Sequence, residues 1–170
     1  MSDARSSRST TEGSESPARR RALDEVDRRL LREVQTDGRV SVNELAARAS
    51  VARATAYQRL QRLEDDGVIT GYTALVDPAR VGLGVAALVL VNVAQGDWRD
   101  ARQRLLELPG VQYLALTSGT FDFVVLVRVP DVETLRDVVL VQLHGLPEVR
   151  STQTVFVLED HFQLRVEPPA

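Results

Sequence analysis

At 170 residues, 44% hydrophobic and 26% charged with a net charge of −3, the chain has room for two small domains and the composition of a soluble globular protein. The lack of cysteine excludes a disulfide framework, a thiolate nucleophile and a sulfur metal site, and two separated histidines, His144 and His161, make no zinc set, so no metal, cofactor or catalytic group is expected. The longest apolar run, Val85 to Val93, is too short to cross a bilayer and the polar N-terminus lacks a signal-peptide core, so a cytoplasmic protein with no membrane partner is expected.

Residues 1–21 are rich in Ser, Thr, Arg and Glu and nearly free of apolar side chains, so they read as a disordered tail. A first helix follows from the helical spacing of Leu23, Val26, Leu30 and Val34, with Asp24 as its N-cap and Gly38 as its stop. Ser41 and Glu44 form the pattern of a capping box, opening a short second helix whose apolar face is Leu45, Ala46 and Ala49. A third helix runs from about Arg53 to Asp66 and stops at Gly67, with Ala56, Leu60 and Leu63 buried. Its opposite face carries Thr55, Gln58 and Arg62, flanked by Ala54 and Gln61, with Arg59 to the other side and no acid on that face until Asp65.

Such a face suits double-stranded DNA. Arg reads guanine and Gln reads adenine through paired hydrogen bonds, and either also meets phosphate. Arg53, Ala54, Thr55, Gln58, Arg59 and Arg62 are therefore the candidate DNA-binding residues. For Arg59 a phosphate contact and a structural ion pair stand side by side. Tyr57, near the core edge, reads as packing. The charge distribution agrees: residues 1–67 hold 13 Arg against 12 acids, for +1, and the remainder holds 8 Arg against 12 acids, for −4.

Beyond Gly67, Val68 to Thr70 and Tyr72 to Val76 read as short strands, and residues 72–84 as a hinge strand and linker with turns at Asp77-Pro78 and Gly82-Leu83-Gly84. Strands are then expected over 85–93, 111–117, 122–129 and 149–158. The helices between them are capped by Asp97 and Asp131. The order β-α-β-β-α-β is that of a ferredoxin-like domain, here over 85–160, followed by a tail over 161–170. Its strands are rich in Val and Leu on both faces, so the sheet face without helices is expected to pair in a homodimer. The fold class is thus α+β: a three-helix winged or hinged helix-turn-helix over 22–71, then the ferredoxin-like domain.

Four segments, taken in order, resemble the Lrp/AsnC family of prokaryotic regulators. They are Leu23 to Leu31; Asp37-Gly38-Arg39 with Asn43-Glu44-Leu45-Ala46; Arg59 to Tyr72; and Gly119-Thr120-Phe121-Asp122-Phe123. The resemblance implies a DNA-binding dimer with a C-terminal sensing domain, often assembled into octamers, that answers to an amino acid or related metabolite. It places the effector site where dimers meet, near the turn at Gly119 to Asp122. That makes Thr117, Ser118, Gly119, Thr120 and Asp122 the candidate effector-binding residues, although a hairpin turn alone accounts for Gly119 and Asp122 as well. The family commonly has Ser where this chain has Ala52, so a helix cap is missing here unless Ser50 supplies it. Two other functions stay open at this point: an architectural DNA binder without effector, and a tetrapyrrole decarboxylase like some Lrp-like proteins.

Overall fold

The computed structural model describes residues 22–94, 98–161 and 165–168; the expected tail over 1–21 and the expected cap Asp97 lie outside them. The chain forms two compact units. One runs to Thr73 and takes in the segment 165–168, and the other starts at Ala74. No described helix is long and apolar enough to cross a membrane.

The first unit contains α1 (Glu25–Thr36), α2 (Val42–Arg48) and α3 (Arg53–Asp65). Asp24 caps α1: its Oδ1 accepts the amides of Val26 and Asp27, and Asp27 Oδ2 accepts the Asp24 amide at 3.1 Å. Leu30, Leu45, Ala46, Ala49 and Ala56 close the core between the three helices. Ser41 caps α2 through the Glu44 amide at 3.2 Å. The expected bond from Glu44 back to Ser41 is replaced by an ion pair with Arg48 at 2.6 Å, because a charged partner outbids a neutral amide. Gln35 of α1 grips the C-terminal segment, donating to the Val166 carbonyl at 3.1 Å and accepting the Val166 amide at 2.6 Å.

Ala52 starts α3 with no side-chain cap. Ser50 does not take over. It closes α2 in the left-handed region, φ 56°, with its amide on the Ala47 carbonyl. Ala52→Ser is therefore expected to stabilise the unit by about 1 kcal/mol, read as a higher urea midpoint with unchanged slope.

The two short strands expected after α3 are not formed. Gly67 takes φ 67°, and the amides of Val68 and Ile69 both bond the Leu63 carbonyl at 2.9 Å, so they close the helix instead of joining a ladder. No described strand pairs with the chain from Val68 to Val76. The turn at Asp77-Pro78 is present, with Asp77 Oδ1 accepting the Ala79 amide at 3.0 Å.

The second unit is β1 (Val85–Val93), α4 (Trp98–Glu107), β2 (Val111–Leu116), β3 (Phe123–Val129), α5 (Val132–Asp137) and β4 (Val149–Val157). The helix after Asp131 does not stay α-helical: it widens into a π-helical stretch over Val138–Leu143. The four strands form one antiparallel sheet in the order β2-β3-β1-β4. Alternate residues of β1 and β3, from Val89 and Val91 to Phe123 and Val125, pack against Ala101 and Leu105 of α4 and against Leu135, Val138, Val139 and Leu143. The opposite face presents Leu88, Leu90, Val124, Leu126 and Val155, which lie across from one another in the register, and Tyr113 at the β2 edge. The helices of this unit all pack on the other face; Tyr113 is 56% and Val155 43% exposed.

Candidate functional site

The exposed arc of α3 is Arg53, Ala54, Tyr57, Gln58 and Gln61, while Thr55, Arg59 and Arg62 are half-buried. The outward face is thus turned relative to the one read from the sequence, which centred on Thr55, Gln58 and Arg62. Tyr57, expected to pack at the core edge, is 55% exposed and joins the outward arc. Arg39 and Arg53 form no ion pair among the described residues, so their charge is available to an anion.

What turns Arg59 and Arg62 aside is a pair of carboxylates on α1 and its cap. Arg59 Nη1 donates to Asp24 Oδ2 at 2.5 Å and to Asp27 Oδ1 at 3.0 Å, and Arg62 Nη2 donates to Asp27 Oδ2 at 2.6 Å. The Asp27 side chain is 1% exposed, whereas those of Arg59 and Arg62 are 27% and 30% exposed. Of the two alternatives for Arg59, the structure makes the ion pair. A carboxylate at position 27, among Leu30 and Leu31 on the buried side of α1, can be accommodated only with such partners. Sequence reading missed this role for Asp24 and Asp27.

The Arg59 guanidinium, together with the Asp27 amide, lowers the Asp24 carboxyl from 3.8 to about 2. Asp24 and Asp27 in turn raise Arg59 above its ordinary value. A lowered carboxylate contributes stability that is complete above its unfolded value and is lost as pH falls through the folded one. The Asp24 contribution is therefore full above pH 4 and disappears between about 4 and 2. Acid titration of the folded protein is expected to show this loss, and Asp24→Asn to shrink it; identical acid limbs in the two proteins would contradict the assignment.

In the second unit, the turn between β2 and β3 is pinned from inside. The Thr117 amide donates to the Asp122 carbonyl at 2.8 Å, and Thr117 Oγ1 donates to the Phe121 carbonyl at 2.5 Å. Asp122 ties the turn to β1: its amide bonds the Val91 carbonyl at 3.0 Å, and its Oδ2 accepts the Val93 amide at 2.8 Å. Thr117, Ser118, Gly119 and Thr120 are exposed, and Gly119 takes φ 152°, which side-chain-bearing residues rarely adopt. The structure thus brings the five candidate residues together, with Asp122 committed to the backbone of β1.

Two cavities lie elsewhere. One of about 190 Å³ sits between α5, the π-helical stretch and β4, lined by Val132, Leu135, Arg136, Leu140 and Phe156. Another of about 180 Å³ sits between the turn at Asp77 and the end of β4, beside the ion pair of buried Arg128 with Asp160. Among the described residues no group of acidic or imidazole side chains is placed to hold a metal.

Residues 23–70 match the family model of a winged helix-turn-helix DNA-binding domain, and residues 86–166 match that of the Lrp/AsnC ligand binding domain. The HTH-type transcriptional regulator FL11 of Pyrococcus horikoshii is 31% identical over 139 residues, covering 82% of this chain and 91% of its own. The HTH-type transcriptional regulator AldR of Mycolicibacterium smegmatis is 35% identical over 152 residues, covering 88% and 89%. In structure the chain is similar to a transcriptional regulator of Neisseria meningitidis solved as its L-Met complex. The TM-score is 0.78 and the identity 28%, with 87% of this chain and 97% of that one covered. Both of these sequence relatives are named as transcriptional regulators.

Proposed function

The chain belongs to the Lrp/AsnC family of transcriptional regulators, and on that premise we propose that it binds specific DNA sequences as a homodimer under the control of an amino acid or related metabolite. The observation that carries the DNA half is the outward arc of α3, which presents Arg53, Ala54 and Gln58 with no acid until Glu64, and Thr55 at its shoulder. In this reading α3 enters the major groove, Gln58 reads a base, and Arg53 reads a base or clamps phosphate. Arg59 and Arg62 serve the interface from behind, by fixing α3 to α1.

The match of the second unit to a ligand binding domain supports an effector, and the L-Met complex of the Neisseria regulator supports an amino acid. The exposed turn at Thr117, Ser118, Gly119, Thr120 and Asp122 is its proposed site. The turn is exposed in the single chain, and another copy packed against it would enclose a ligand there, as assembly of dimers into an octamer would do. The uncovered sheet face supports the dimer itself.

Gln58→Ala is expected to weaken binding to a duplex enriched from a random pool by about 1–3 kcal/mol and to leave binding to a scrambled duplex nearly unchanged. Equal weakening on both duplexes would make Gln58 a backbone contact and remove it from the reading set.

A further inference from the structure

We propose that Asp24 and Asp27 set the DNA selectivity of the helical unit by neutralising Arg59 and Arg62 of α3 and keeping both guanidiniums off the phosphates. The inference rests on the reading of α3 as the DNA-contacting helix and adds residues that touch no DNA themselves.

The geometry shows two carboxylates facing two guanidiniums at 2.5 to 3.0 Å, so two of the three arginines of α3 are cancelled by charge of opposite sign. This matters because arginine on phosphate binds every sequence alike. Each phosphate neutralised steepens the dependence of log K on log salt by about 0.9 and raises affinity for random duplex as much as for the operator. Selectivity is the ratio of the two affinities, so withholding cations from the backbone raises it even at constant base contacts. Asp27 is the fixed half of the clamp: it is 1% exposed and its two oxygens take Arg59, Arg62 and the Asp24 amide. Asp24 is the half open to solvent, 52% exposed, with Oδ1 occupied in capping α1 and Oδ2 on Arg59. Charge and cap reside on different oxygens of one side chain, which makes them separable by experiment.

Asp24→Asn removes the charge and keeps a cap of equal quality, so α1 stays intact. The full-length wild type, Asp24→Asn, Arg59→Gln and the double variant are titrated against a duplex enriched from a random pool and against a scrambled duplex, across a range of salt. Glu25→Gln serves as the control: it makes the same charge change one residue away, on a carboxylate paired with Arg29 and Arg32 of α1 and not with α3. Asp24→Asn leaves Asp27 alone against Arg59 and Arg62, one net positive charge, and is expected to steepen the salt dependence on scrambled duplex by up to about 0.9, to tighten that binding and to lower the selectivity ratio. Arg59→Gln alone is expected to leave the slope unchanged, since a cancelled cation releases no counterion, and the double variant to return to the wild-type slope. The inference is overturned if Arg59→Gln alone flattens the slope, which would put Arg59 on phosphate already, or if Asp24→Asn does no more than Glu25→Gln. A wild type that binds both duplexes equally defeats the reading of α3 itself, an outcome separate from failure of the clamp.

Discussion

Asp27→Ala is expected to unfold the helical unit while leaving the sheet unit folded. Asp27 is the one charged side chain of α1 that is fully buried, and it holds Arg59, Arg62 and the Asp24 amide together. Removing one partner of a buried ion pair costs about 3–5 kcal/mol. Here both arginines are partly exposed and recover some solvation, so about 3 kcal/mol is expected. A unit of this size has total stability of that same order. The readout is hydrogen exchange in the full chain: peptides from Glu25–Thr36 and Arg53–Asp65 should lose protection while those from Val85–Val93 and Phe123–Val129 keep it. Protection retained in α1 and α3 would mean that the carboxylate contributes little and that the apolar core alone fixes α3.

Val155→Glu is the corresponding substitution for assembly. Val155 lies opposite Leu88 on the sheet face that carries no helix and is 43% exposed, so a glutamate there remains solvated in the single chain. Two such faces packed together would bury the charge without a partner. The dimer is expected to weaken by at least about a hundredfold, or roughly 3 kcal/mol, with the circular dichroism of the chain unchanged. Because paired half-sites are read by paired helices, DNA binding should fall with it. Sedimentation at micromolar concentration decides: an unchanged dimer would place the interface on another surface.

The helices and the ferredoxin-like order were legible because they rest on local signals. The apolar periodicity of Leu23 to Val34, the Ser41 cap and the pairs Pro109-Gly110 and Leu146-Pro147 each act within a few residues. The strands after Gly67 were misread for a physical reason: Val68 and Ile69 have strand-like side chains, but their amides are consumed by the Leu63 carbonyl. The face of α3 was misread because its orientation depends on charges thirty-odd residues away. A single helix examined alone shows cations facing outward, and only the fold brings Asp24 and Asp27 to them. One local clue did exist, the carboxylate of Asp27 in register with Leu30, Leu31 and Val34, which demands a cationic partner. For the turn at Gly119, the sequence carried the chemistry of a hairpin, and the structure forms one, closed by the Thr117 amide on the Asp122 carbonyl and Thr117 Oγ1 on the Phe121 carbonyl. A ligand enclosed between copies leaves no pattern in one chain.

The most direct measurement is a titration of the purified full-length protein against duplex from upstream of its own gene and against a scrambled duplex of the same composition. Salt is held fixed, and each amino acid of a panel is added in turn. The expected result is tighter binding to the upstream duplex, with an affinity or stoichiometry that shifts on addition of one amino acid or a chemically related group of them. Equal binding to both duplexes, unmoved by every amino acid, would contradict the reading of this chain as an effector-controlled, sequence-specific regulator.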